Sequence, residues 1–166
     1  LLNLLVVVAG LGLLASAGWA AGDVALGKRI YREGILTSGQ ELSAVSIQGV
    51  SLRGEKAACS ACHRRSGFGG SEGYKPIRPI SGRYLFQDVN APRPGLFRGA
   101  AKGPGMRPAY DAQTLARLLS TGIDAAGRKL DEMMPRYQLG GADLDHLTAY
   151  LKTLSIAPDP GVTETT

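Results

Sequence analysis

"CSACH", Cys59 to His63, holds both cysteines of this 166-residue chain and one of its two histidines. Four chemistries use such a cluster, and each makes its own demand on the remaining residues. A thioredoxin-like dithiol needs C-x-x-C beside a βαβ pattern, and the sequence has no convincing parallel strands. A structural zinc site needs four ligands. Beyond the motif only His146 is left to supply one, and His63 abuts Cys62 with little freedom to share a tetrahedral metal. A structural disulfide is a poor explanation too, because a bridge between Cys59 and Cys62 closes a tiny loop and constrains little. The remaining chemistry is covalent haem attachment, for which C-x-x-C-H is the signature. Two thiols add to the two porphyrin vinyl groups, and the adjacent histidine turns beneath the ring to reach the iron.

That reading predicts a second axial ligand downstream. The candidates are Met106, Met133, Met134 and His146. In "MMPRYQL" Met134 directly precedes Pro135, which holds it extended rather than helical, in a loop just ahead of the final helix. Met134 is therefore the expected ligand, with Met133 as the competing neighbour or a packing residue. Met106 lies in the Pro/Gly-rich "GPGMRP", and His146 falls off the apolar stripe of the last helix, in a solvated position.

Outward from the motif, the first 22 residues, "LLNLLVVVAGLGLLASAGWAAG", carry no charged side chain. The run matches the roughly 20 residues a bilayer-spanning helix needs, and Trp19 sits where an interfacial anchor would. "ASA" (Ala15 to Ala17) offers the competing reading of a signal-peptide cleavage site. Both readings export the following domain, and the retained membrane anchor is preferred. The expected organisation is a hydrophobic helix over 1–22, one domain over 23–157 and a frayed tail over 158–166.

Within that domain, "DVALGKRIYREGI" shows helical spacing at Val24, Gly27, Ile30 and Tyr31, capped by Asp23 and ended by Gly34. "DAQTLARLLSTGI" repeats the pattern, with Asp111 as cap, Leu115, Leu118, Leu119 and Ile123 as stripe, and Gly122 near its end. "ADLDHLTAYLKTL" lines up Leu144, Leu147, Leu151 and Leu154 on one face. A weak hairpin signal surrounds Gln48-Gly49 within 35–58. The stretch after the motif and residues 87–110 read as Gly- and Pro-punctuated loops. Frequent Gly (23) and Pro (9) with few aromatics fit short helices and long shaped loops, a chain whose core a prosthetic group would help to fill.

These features together resemble a class I, mono-haem c-type cytochrome over roughly residues 23 to 157. "GKRIY" resembles that family's first helix, where Gly27 would let the last helix cross closely and Tyr31 would pack four residues on. Leu147, Tyr150 and Leu151 match its L-x-x-Y-L last helix. The resemblance implies an all-α class I cytochrome c fold, with N- and C-terminal helices crossing and the haem enclosed by helices and loops. It implies one covalent haem c held by Cys59 and Cys62, with iron between His63 and Met134. It also implies a proline whose carbonyl accepts the His63 N–H. "RPISG" suggests Pro79 for that role, with Pro76 as the alternative. Phe68, Tyr74, Tyr84 and Phe86 are candidates to cover the haem. The segments 35–58 and 87–110 are longer than a minimal member needs.

Six-coordinate His/Met iron leaves no open position for substrate. The expectation is therefore a one-electron carrier rather than an enzyme, tethered on the periplasmic side of a bacterial inner membrane by its N-terminal helix. It would serve a membrane oxidase or dehydrogenase complex. The rival readings are a haem enzyme or gas/peroxide sensor with a dissociable sixth ligand, and a chiefly structural haem subunit. The net charge of +5, from 19 Lys and Arg against 14 Asp and Glu, includes Lys56, Arg64, Arg65, Arg78 and Arg83 around the motif. That balance suits an acidic protein partner. Nucleic acid is not expected, since no basic stripe interleaved with aromatics is present.

Overall fold

The computed structural model describes residues 21–88 and 107–155. Most of the expected N-terminal helix, most of loop 87–110 including Met106, and the tail 158–166 lie outside the described residues. Among those described, no helix is long and apolar enough to cross a membrane.

Helix α1 (Val24–Glu33) begins where expected. The Asp23 carboxylate accepts the N–H groups of Ala25 (2.7 Å) and Leu26 (3.1 Å), and Gly34 ends the helix in the left-handed region at φ 65°. Its buried face, Gly27, Ile30 and Tyr31, lies against the last helix, Gly141–Thr153, which buries Leu144, Leu147, Tyr150 and Leu151. Burying one such large apolar side chain contributes roughly 1.5–3 kcal/mol. The crossing is close because Gly27 has no side chain. A Cβ there would overlap the His146 carbonyl and come within 2.8 Å of the Tyr150 Cβ. Beside it the rings of Tyr31 and Tyr150 pack with centroids 5.2 Å apart, tilted by 57°.

The helix Ala112–Thr121 keeps its expected cap but stops before Gly122, so Ile123 of the expected stripe lies beyond it, bridged to Lys129. Asp111 and Thr114 form a reciprocal capping box, Gly122 closes the helix at φ 76°, and Leu115, Leu118 and Leu119 turn into the core. The apolar cluster joins this stripe to Ile30, Tyr31, Leu42, Leu85 and the leucines of the last helix.

The all-α expectation needs correcting, because short strands complete the frame. β1 (Ser43–Val45) and β2 (Ser51–Arg53) form the hairpin, and β5 (Arg136–Tyr137) pairs with the other side of β1, giving the order β2-β1-β5. The hairpin turn spans Ser46 to Val50, and Ile47 and Val50 lie exposed in it. The Gly-rich stretch after the motif folds into a second hairpin, β3 (Gly70–Glu72) with β4 (Lys75–Ile77), and a single turn of helix, α3 (Gly82–Leu85). Strands of two or three residues are too short to show an alternating pattern in the sequence. With the motif helix α2 (Cys59–His63) counted, Ala112–Thr121 is α4 and Gly141–Thr153 is α5.

Candidate functional site

CSACH is itself the five-residue helix α2. Helical spacing sets Cys59 and Cys62 three residues apart on one face. Both thiols are free and half-buried, and Cys59 packs against the apolar core. Burial pushes the Cys59 thiol up to about 12, opposed by a backbone hydrogen bond and reinforced by Cys62. Burial also raises Cys62, with Glu72 of β3 adding to it. Two tyrosines flank the pair. Tyr31 from α1 and Tyr137 from β5 are each shifted upward, by burial first and then by Cys59, with Cys62 adding to the shift of Tyr137.

His63 is half-buried, and its Nδ1 lies 2.9 Å from the carbonyl of Arg78. A carbonyl only accepts, so Nδ1 carries the proton and Nε2 keeps the lone pair a metal needs. Burial lowers the imidazole pKa, against the pull of the Arg78 bond, which favours the neutral, ligating form. The expected acceptor was the carbonyl of Pro79; the contact falls one residue earlier. Proline supplies no N–H and restricts the residue before it to extended backbone, so Pro79 constrains the peptide that bears the acceptor. Two further bonds hold this stretch along the motif: Gly69 N–H to the His63 carbonyl (3.1 Å), and Ile80 N–H to the Gly67 carbonyl (2.7 Å).

One feature of the motif is invisible in the sequence. Arg64, directly after His63, has φ 62° and ψ 171°, and it is the one non-glycine with positive φ among the described residues. This region is essentially reserved for glycine and costs of order 1–3 kcal/mol for other residues. The Arg64 carbonyl accepts the Tyr31 hydroxyl at 2.7 Å and the Gly67 N–H at 3.3 Å.

Met134 is half-buried and packs against the same apolar core as Cys59. Met133 is exposed. Asp131 shapes the loop that carries both. Its carboxylate accepts the Met133 N–H (3.0 Å) and the Lys75 ammonium of β4 (2.7 Å), and its carbonyl accepts the Met134 N–H (3.3 Å). The Arg136 guanidinium donates to the Met134 carbonyl, and Tyr137 then enters β5 beside the thiols. Met134 thus borders a cavity of about 290 Å³ with Val45, Ile47, Thr121 and Arg136. His146 is not a solvated bystander, since its Nδ1 accepts the Asp23 N–H (2.7 Å) at the α1–α5 crossing. Of the candidate covering aromatics, Phe68 and Tyr84 meet edge to face at 6.3 Å, whereas Tyr74 stands 91% exposed on the β3–β4 turn.

The family model described as Cytochrome c matches residues 49–155. The chain belongs to the cytochrome c family. No curated protein and no solved structure matches it. The match begins after α1, yet α1 makes the close helix crossing at Gly27.

The family carries covalently attached haem c, and the donor chemistry of this cytochrome fits that group. Its only two thiols are Cys59 and Cys62, free and on one helical face. His63 has one ring nitrogen fixed by a carbonyl and the other left for a metal. Met134 offers a soft thioether from the same core. These four residues would hold the haem: two thioether bonds from the cysteines, and His63 and Met134 toward the iron. When bound, the haem supplies an iron that takes up and releases one electron.

Proposed function

We propose that this cytochrome is a mono-haem, class I electron carrier with His63 and Met134 as axial ligands. The observation that carries the proposal is the commitment of His63 Nδ1 to the Arg78 carbonyl at 2.9 Å. That bond fixes the proton on Nδ1 and leaves Nε2 free, and a carbonyl partner of this kind raises the ligand's basicity. Met as the second donor favours the reduced state and raises the potential. The remaining work of the chain is to exclude water around the iron and keep both ligands through oxidation and reduction.

In this proposal the carrier is tethered on the periplasmic side of a bacterial inner membrane by its apolar N-terminal run. It passes electrons to or from a membrane oxidase or dehydrogenase complex, and tethering raises its effective concentration there. Docking uses the cations around the motif. Lys56, Arg64, Arg65, Arg78 and Arg83 are all exposed, and none forms an ion pair among the described residues.

Spectroscopy of the reduced and oxidised protein tests the carrier. A low-spin, Met-ligated ferric spectrum and indifference to carbon monoxide after reduction are expected. A five-coordinate spectrum, or rapid carbon monoxide binding, transfers the site to the enzyme or sensor reading. Fractionation of membranes followed by identification of copurifying redox proteins tests the tether and the partner together.

A further inference from the structure

The strained peptide after His63 has a single side-chain hydroxyl holding it. Tyr31 is fully buried in α1, its ring packed on Tyr150, and its hydroxyl donates to the Arg64 carbonyl at 2.7 Å. Arg64 occupies the glycine-only region at φ 62°, ψ 171°. Its guanidinium lies over the start of β3, within 2.9 Å of where a Cβ on Gly70 would stand. Arg64 is thus held to α1 through its carbonyl, while its side chain lies beside the hairpin that precedes Arg78. His63 sits between these fixtures, with its own carbonyl bonded to Gly69 and its Nδ1 to Arg78.

We propose that the Tyr31 hydroxyl is a positioning group for the axial histidine. It pins the Arg64 peptide in a conformation arginine does not adopt unaided, and so sets the plane and tilt of the His63 ring. The first helix thereby does more than close the core. It reaches through one hydroxyl to the orientation of the iron's imidazole ligand. This role rests on His63 ligating the haem iron, as argued above.

The hydroxyl and the strain should be interchangeable, which makes the idea testable in the full-length haem-loaded protein. Wild type is examined first. If it lacks low-spin His/Met ligation, the carrier reading fails before this one is reached. Given that ligation, Tyr31→Phe is compared with wild type by the hyperfine-shifted haem-methyl resonances of the oxidised form, which respond to axial-ring orientation, and by midpoint potential. The expected result is a changed spread of methyl shifts, a displaced potential, and an equilibrium constant against axial-ligand loss in urea lowered about 3- to 10-fold, the scale of one hydrogen bond. Arg64→Gly adopts the same backbone without strain. In that background Tyr31→Phe should leave the methyl pattern and potential close to those of Arg64→Gly alone. If Tyr31→Phe lowers stability but leaves pattern and potential unmoved, the hydroxyl is only a core hydrogen bond and the proposal is overturned. It is equally overturned if Tyr31→Phe has its full effect in the Arg64→Gly background. Should Tyr31→Phe alone not assemble, that second comparison decides the matter.

Discussion

At the scale of single residues, the two halves of the proposed axial pair are held by different means. His63 is fixed by backbone groups on both sides: its Nδ1–H donates to Arg78 and its carbonyl accepts from Gly69. Met134 is held by a loop whose geometry depends on Asp131, anchored to β4 through Lys75. Replacing Met134 with Ala should leave covalent haem attachment intact while opening one side of the iron. Carbon monoxide should then bind the reduced protein, and the midpoint potential should fall by on the order of 0.1 V, within the roughly 0.8 V that axial ligands span. Met133→Ala, at an exposed position, should change neither reading. If the two variants exchange roles, Met133 is the ligand. The proposed donors could be named from the sequence because C-x-x-C-H and Met-Pro carry their chemistry locally. The acceptor of the His63 proton was not. Which carbonyl reaches Nδ1 depends on how β3 and β4 bring Arg78 back to the motif, a non-local pairing that shifted the role from Pro79 by one residue. The strain at Arg64 was likewise hidden, since "HRRSG" offers no glycine at that position.

Elements show the same division between local and distant causes. Helices α1, α4 and α5 were readable because caps, period and stops lie within each segment. Asp23 and Gly34 bound the first, and Asp111 and Gly122 the second. The strands were not, because pairing of β1 with both β2 and β5 joins residues far apart in sequence, and each strand is too short for a pattern. The α1–α5 crossing supplies one prediction. A methyl at Gly27 meets the His146 backbone, which a flexible side chain cannot relieve, so Gly27→Ala should destabilise the folded haem protein by about 1–3 kcal/mol. Urea denaturation followed by helix content measures it, and a loss under a few tenths of a kcal/mol would falsify the tight crossing. A second concerns the turn that leads from α4 toward the Met loop. Asp124 is buried there and accepts the N–H groups of Ala126 (2.9 Å) and Arg128 (2.8 Å), with the Arg128 guanidinium at 2.8–2.9 Å. Burial alone would push its carboxyl up, but the Arg128 N–H and guanidinium and the Ala126 N–H overcome this and hold it below the usual carboxylate range. A depressed folded pKa stabilises above the unfolded value, about 3.9, and the contribution is lost as pH falls through the folded one. Asp124→Asn should therefore cost about 1.5–3 kcal/mol near pH 6 and progressively less below about pH 4. Parallel urea titrations at pH 6 and pH 3 check this, with an unchanged gap between the proteins counting against it.

For the whole molecule, the excess of five positive charges matters through where it lies. Among the described residues, the ion pairs occupy other cations: Arg29 with Glu33, Lys75 with Asp131, Arg128 with Asp124, and Lys129 with Glu132. Lys56, Arg64, Arg65, Arg78 and Arg83 remain exposed around the motif. A field of one sign there attracts acidic surfaces and orients them toward the haem side before contact, raising association rates by about 10- to 1000-fold at low salt. Salt removes that advantage, since the screening length shrinks from about 10 Å at 0.1 M to about 3 Å at 1 M. Stopped-flow electron exchange with small inorganic reagents isolates the effect without knowledge of the native partner. Oxidation of the reduced cytochrome by anionic ferricyanide should slow as salt rises, while oxidation by a cationic cobalt(III) chelate should accelerate. If the effective charge is local, Arg65→Glu with Arg83→Glu should flatten or invert both slopes. The same number of reversals at Lys28 and Arg29, both exposed on α1, should alter them much less. Equal responses at the two locations would show that only the net charge steers encounter, and the docking role proposed for the basic surface around CSACH would fall.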